Sequence, residues 1–70
     1  MTPTLLRETG ESLYGARWQS ELSRALAVSD RTMRRWLAGI NDVPDQVRAE
    51  LRALARSRRK ALDGVIARLR

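Results

Sequence analysis

The sequence predicts an all-α domain of four or five helices. Three observations carry that prediction: apolar residues recur at three- and four-residue spacing along most of the 70 positions, capping residues head the main runs, and only Gly39 to Pro44 has loop composition. No segment is low in complexity and no long period repeats, so residues 1–70 read as one compact unit. A chain this short buries only about 60% of the surface its unfolded form exposes. Its core must be lean, and with neither cysteine nor histidine in the sequence no disulfide or zinc site is expected to staple it.

The first helix starts at Thr2-Pro3, a capping hydroxyl ahead of a proline at the first helical position, and runs to Tyr14 before Gly15. Leu5, Leu6, Leu13 and Tyr14 supply its buried stripe, and Gly10 in its middle costs about 1 kcal/mol relative to alanine. The second helix covers about Gln19 to Leu26, with Leu22, Ala25 and Leu26 on one side and Trp18, four residues before Leu22, over the same face.

A third helix begins after only Ala27, Val28 and Ser29. Ser29 is a good N-cap, Asp30 suits the positively polarised first turn, and Gly39 is a natural stop. At ~100° per residue, Met33, Trp36 and Leu37 share an apolar face, Arg31, Arg35 and Ala38 point the opposite way, and Arg34 lies on the flank. From Pro44 a final helical segment extends toward Leu69. Val47, Leu51 and Leu54 form its first stripe, and Leu62, Val65, Ile66 and Leu69 repeat the pattern beyond the basic run Arg56-Ser57-Arg58-Arg59-Lys60. Periodicity leaves open whether Ser57 or Gly64 interrupts it.

Fourteen Lys+Arg against eight Asp+Glu give a net charge of +6, and Lys60 is the only lysine. Arginine presents a planar fork of donors suited to phosphate oxygens or a guanine edge, so the composition leans toward a polyanionic partner. The charge is concentrated in two blocks, residues 17–39 and 48–60, on either side of an acidic connection. The N-terminus lacks a basic start followed by an apolar run, and no apolar stretch reaches the ~18 residues of a membrane span. A cytoplasmic protein without a membrane partner is expected.

Two helices joined by three residues cross steeply and bury the inside of the corner, which is a helix-turn-helix. Leu22, Leu26, Val28, Met33 and Trp36 then point inward, and Ser23 is small enough for close helix approach. The outer side of the second helix of the pair fits the major groove of B-DNA, about 12 Å wide. Residues Gln19 to Ala38 resemble the helix-turn-helix of small phage-type repressors of the lambda repressor and Cro class, with those five residues at its apolar positions. The stretch Ser29 to Leu37 also resembles the recognition region of small autorepressors encoded beside anti-CRISPR genes. Where the family commonly has glycine in the turn, often with a left-handed backbone, this chain has Ala27, and Ser23 stands at the family's usual alanine.

The resemblance implies that the helix opening at Ser29 is a recognition helix reading double-stranded DNA. Gln19 and Ser29 then face phosphates, Arg31, Arg34 and Arg35 reach bases or backbone, and Thr32 meets a phosphate or a thymine methyl. Asp30 either accepts from a cytosine amino group or serves the helix dipole alone. An arginine-rich helical face is ordinarily a solvated surface, but Arg31 and Arg35 are a like-charge pair one turn apart with no acid four residues away, a placement that solubility alone does not call for. Trp36 shares the angle of Met33 and Leu37 and is expected in the core.

The block from Arg48 to Lys60 admits several readings: steering along phosphates, RNA or anionic-membrane binding, or solubility. The tail stripe Leu62, Val65, Ile66 and Leu69 either packs back on the domain or dimerises, and dimerisation is favoured because a helix running past Arg56 outruns so small a core. Segment 44–70 is thus expected to be a helical dimerisation and basic segment. With no histidine to activate a hydroxyl and no cluster of acids, neither catalysis nor a metal or cofactor is expected. The function expected is a homodimeric, sequence-specific repressor at a palindromic operator. The alternative is a protein-interaction module, antitoxin-like or an adaptor, that uses the last helix and carries its basic face incidentally.

Overall fold

Four α-helices and one 3-10 turn make up the chain in the computed structural model, which describes residues 1–70: α1 (Pro3–Tyr14), the 3-10 turn (Gly15–Arg17), α2 (Trp18–Leu26), α3 (Asp30–Leu37) and α4 (Asp45–Arg68). The protein is all-helical. Of the four or five helices expected, four α-helices are present, because the last segment runs through Ser57 and Gly64 without a break.

Local chemistry sets the boundaries. Thr2 caps α1, its Oγ1 accepting from the Leu5 amide at 3.1 Å, and Pro3 occupies the first turn, where a missing N–H costs nothing. Gly15, at φ 73, ends α1 in a backbone region that a side chain would disfavour. Pro44 precedes α4, and Asp45 in its first turn complements the helix dipole.

The core is a single cluster of Leu6 and Leu13 from α1, Trp18, Leu22 and Leu26 from α2, Met33 and Trp36 from α3, Val43 from the connection and Leu51 from α4. Helix α1 is the hub, touching each of the other three helices. Leu6, Leu22 and Met33 are fully buried, and burial of such a side chain contributes about 1.5–3 kcal/mol. Val28, Leu37, Val47 and Leu54 pack half-buried around the cluster.

Two core expectations are corrected. Leu5 is 42% exposed, because the face α1 turns inward is that of Leu6, Gly10 and Leu13, and Leu5 instead lines a shallow groove shared with Ala55 and Leu62 of α4. Ala25 is exposed beside an open groove formed with Ala53 and Leu54, so α2 buries a narrower stripe than its spacing implies. Gly10 has a role that propensity hides: a Cβ there would lie 2.1 Å from Cε3 of Trp18, so the glycine is the seat of the indole. Ser23 is buried as expected at the close approach of helices, and its Oγ finds no hydrogen-bond partner.

Helix α4 outruns this core. Its 24 residues extend about 36 Å, and every residue from Ala55 to Arg70 is exposed. The radius of gyration is 13.2 Å, against about 11 Å for a compact chain of this length, and the longest dimension is 46 Å. The excess is the protruding tail. No helix is long and apolar enough to cross a membrane.

Candidate nucleic-acid interface

The corner between α2 and α3 is built from backbone hydrogen bonds closed by one left-handed residue. Ala27 sits at φ 56, ψ 41; its N–H donates to the Arg24 carbonyl at 3.2 Å, and the Val28 N–H reaches back to the Ser23 carbonyl at 3.0 Å. This is the hydrogen-bond pattern of a Schellman cap, normally completed by glycine. The left-handed backbone expected at Ala27 is therefore present. The chain leaves α2 sharply, and Ser29 starts α3 two residues later.

Ser29 is extended and caps α3. Its Oγ accepts from the Thr32 N–H at 3.1 Å while its hydroxyl donates to Thr32 Oγ1 at 3.0 Å. Both hydroxyls are thus engaged within the helix start, leaving the half-buried Thr32 with its own O–H still to offer outward. Gln19 lies exposed in the first turn of α2.

On α3, Met33 and Trp36 are buried, at 1% and 6% exposure, and Leu37 is half-buried. Trp36 is core, as its angle predicts. Asp30, Arg31, Arg34 and Arg35 are all exposed on the remainder of the helix surface. The one ion pair in the protein joins Arg24 to Glu21 on α2 at 3.9 Å, so none of the three α3 arginines is neutralised by an acid. An eight-residue helix therefore presents to solvent three guanidiniums without an ion pair and one carboxylate.

Sequence spacing did not reveal Asn41. After α3, Gly39 turns the chain at φ 74 and the Ile40 N–H donates to the Arg35 carbonyl at 3.0 Å. That reversal brings Asn41 Oδ1 within 2.8 Å of Arg35 Nε. The hydrogen bond takes one of the five N–H donors of the guanidinium and leaves its outer pair of nitrogens free.

Arg58 also acquires a partner that spacing did not show. It lies over the Tyr14 ring at 5.5 Å from the centroid, a cation–π contact at the point where α4 leaves the core. Beyond it Leu62, Val65, Ile66 and Leu69 are 52%, 37%, 58% and 78% exposed, so the tail stripe does not pack back on its own domain. No three acids gather where they could hold a metal ion. Comparison with protein-family models, with curated proteins and with solved structures yields no match for this chain.

Proposed function

We propose that the protein is a sequence-specific, double-stranded DNA-binding regulator in which α2 and α3 form a helix-turn-helix of the lambda repressor and Cro kind and α3 enters the major groove. The reading rests on one observation above all: α3 is anchored through Met33 and Trp36 while Arg31, Arg34 and Arg35 stay exposed with no acid paired to them. Guanidiniums so placed suit guanine O6/N7 edges and phosphates. Gln19, Ser29, Asp30 and Thr32 line the same two helix starts, where backbone N–H groups add donors for phosphate.

Two copies pair through Leu62, Val65, Ile66 and Leu69, and such a dimer meets a palindromic operator. It acts as a repressor by occupying its site, in the manner of phage or mobile-element regulators. Selection of bound sites from random duplex DNA tests the proposal. The expected output is a palindrome with half-site centres about 34 Å apart, one helical turn; an unenriched pool overturns it.

A second reading is a protein-interaction module, favoured by the exposed tail stripe. It predicts that Arg31→Ala and Arg35→Ala leave DNA affinity unchanged while tail substitutions abolish partner binding. The DNA-binding reading predicts instead a loss of roughly 1–3 kcal/mol for each arginine that is bidentate to guanine.

A further inference from the structure

The α2–α3 unit leaves the cations of α4 unexplained. Arg48, Arg52 and Arg56 follow one another every four residues and Arg59 comes three later, so the four share one flank of the helix. All are exposed. Each four-residue step rises about 6 Å, and the row extends roughly 16 Å. Small residues separate the arginines: Ala49 and Ala53 line one shallow groove with Arg48, Arg52 and Arg56, with Asp45 at its N-terminal end, and Ala55 lines the next, free of acids, with Arg52, Arg56 and Arg59. A polyanion can therefore approach the helix closely between the guanidiniums.

The row lacks the acids that a merely solvated helix would interleave. Asp45 and Asp63 stand at its ends, three residues before Arg48 and four after Arg59, and neither closes an ion pair. Arg52 and Arg56 have no acid three or four positions away on either side. Like charges at this spacing destabilise a helix unless something of opposite sign lies over them. Arg58, by contrast, is turned onto Tyr14 and does not belong to the row.

We infer that this arginine row is a second, sequence-independent binding surface for the phosphate backbone of duplex DNA. A membrane surface fits poorly, because along the same stretch the apolar side of α4, Val47, Leu51 and Leu54, is packed against the core and cannot insert. Single-stranded RNA fits poorly as well: α4 carries no aromatic side chain on which bases could stack. The inference does not require that α3 read bases.

The test is binding of a random-sequence duplex across a range of salt concentrations by the full chain, by the double variant Arg52→Gln/Arg56→Gln and by Arg52→Lys/Arg56→Lys. Both positions are exposed and glutamine is a good helix former, so helical content by circular dichroism should be unchanged. If each arginine neutralises one phosphate, the slope of log affinity against log salt falls by about 1.8 in the glutamine variant, and the lysine variant keeps it. An unchanged slope overturns the inference. So does loss on Arg52→Gln/Arg56→Gln of binding to anionic vesicles or single-stranded RNA while duplex affinity stays the same. The outcome separates from that of the α3 reading: a chain that selects no preferred site but loses slope with Arg52 and Arg56 keeps this surface and loses the sequence-reading one. A preferred site bound with a slope indifferent to both arginines does the reverse.

Discussion

Asn41 holds Arg35: its Oδ1 accepts from the arginine Nε at 2.8 Å, across a turn that Gly39 makes possible. Of the three α3 arginines, Arg35 alone has a side-chain hydrogen bond, so its guanidinium is directed before any partner arrives. An ordered long side chain loses less entropy on binding than a free one. If Arg35 reads a base pair, Asn41 sharpens that reading without touching DNA itself. Asn41→Ala is then expected to change folding stability by less than about 0.5 kcal/mol, as for an ordinary surface substitution. Discrimination at one base pair of the selected site should weaken by roughly 1 kcal/mol, about fivefold. Affinities for the selected site and for single-pair variants of it check this; an unaltered preference at every pair means that the contact has no bearing on recognition.

Ala27 carries a left-handed backbone at φ 56 that costs a residue with a Cβ about 1 kcal/mol. Ala27→Gly removes that cost and keeps the hydrogen bonds of the cap. The melting temperature should rise by about 4–8 °C per 1 kcal/mol gained in a domain of this size. Thermal denaturation followed by circular dichroism measures it, and a fall would show that the greater freedom of glycine in the unfolded chain outweighs the relieved strain.

Gly10 responds in the opposite sense to its helix propensity. In an isolated helix Gly10→Ala would gain about 1 kcal/mol. Here the new methyl meets Trp18 Cε3 at 2.1 Å, and forcing an indole out of a packed core costs typically 1–3 kcal/mol. Net destabilisation is expected, accompanied by a change in tryptophan fluorescence. A more stable Gly10→Ala variant would place Trp18 elsewhere.

The tail stripe separates folding from association. Leu62 and Ile66 are 52% and 58% exposed within one chain, so Leu62→Asp/Ile66→Asp leaves the core intact. Sedimentation should report about half the mass of the unsubstituted protein, with little change in helical content at high dilution. The same mass for both proteins would overturn the proposed pairing through the tail.

Much of the architecture was legible in the sequence because its signals are local. A hydroxyl before a proline, a serine before an aspartate, and leucines every three or four residues determine where α1, α3 and α4 begin and which side of α3 is buried. They suffice because capping and amphipathic periodicity act within one or two turns. The exposed guanidiniums of Arg31, Arg34 and Arg35 follow directly from the angles of Met33 and Trp36 on the same short helix.

Tertiary structure decided what depends on residues far apart in sequence or on backbone paths that side chains do not announce. Leu5 looked equivalent to Leu6 until packing turned the Leu6, Gly10 and Leu13 face of α1 inward, and Gly10 looked like a flaw until Trp18 came to rest on it. Asn41 meets Arg35 only because a glycine folds the chain back, and Arg58 leaves a run of cations because Tyr14 lies beneath it. The physical reason is the same in each case: spacing along one helix specifies a direction, but which neighbour occupies that direction is settled when all four helices compete for a core of nine residues.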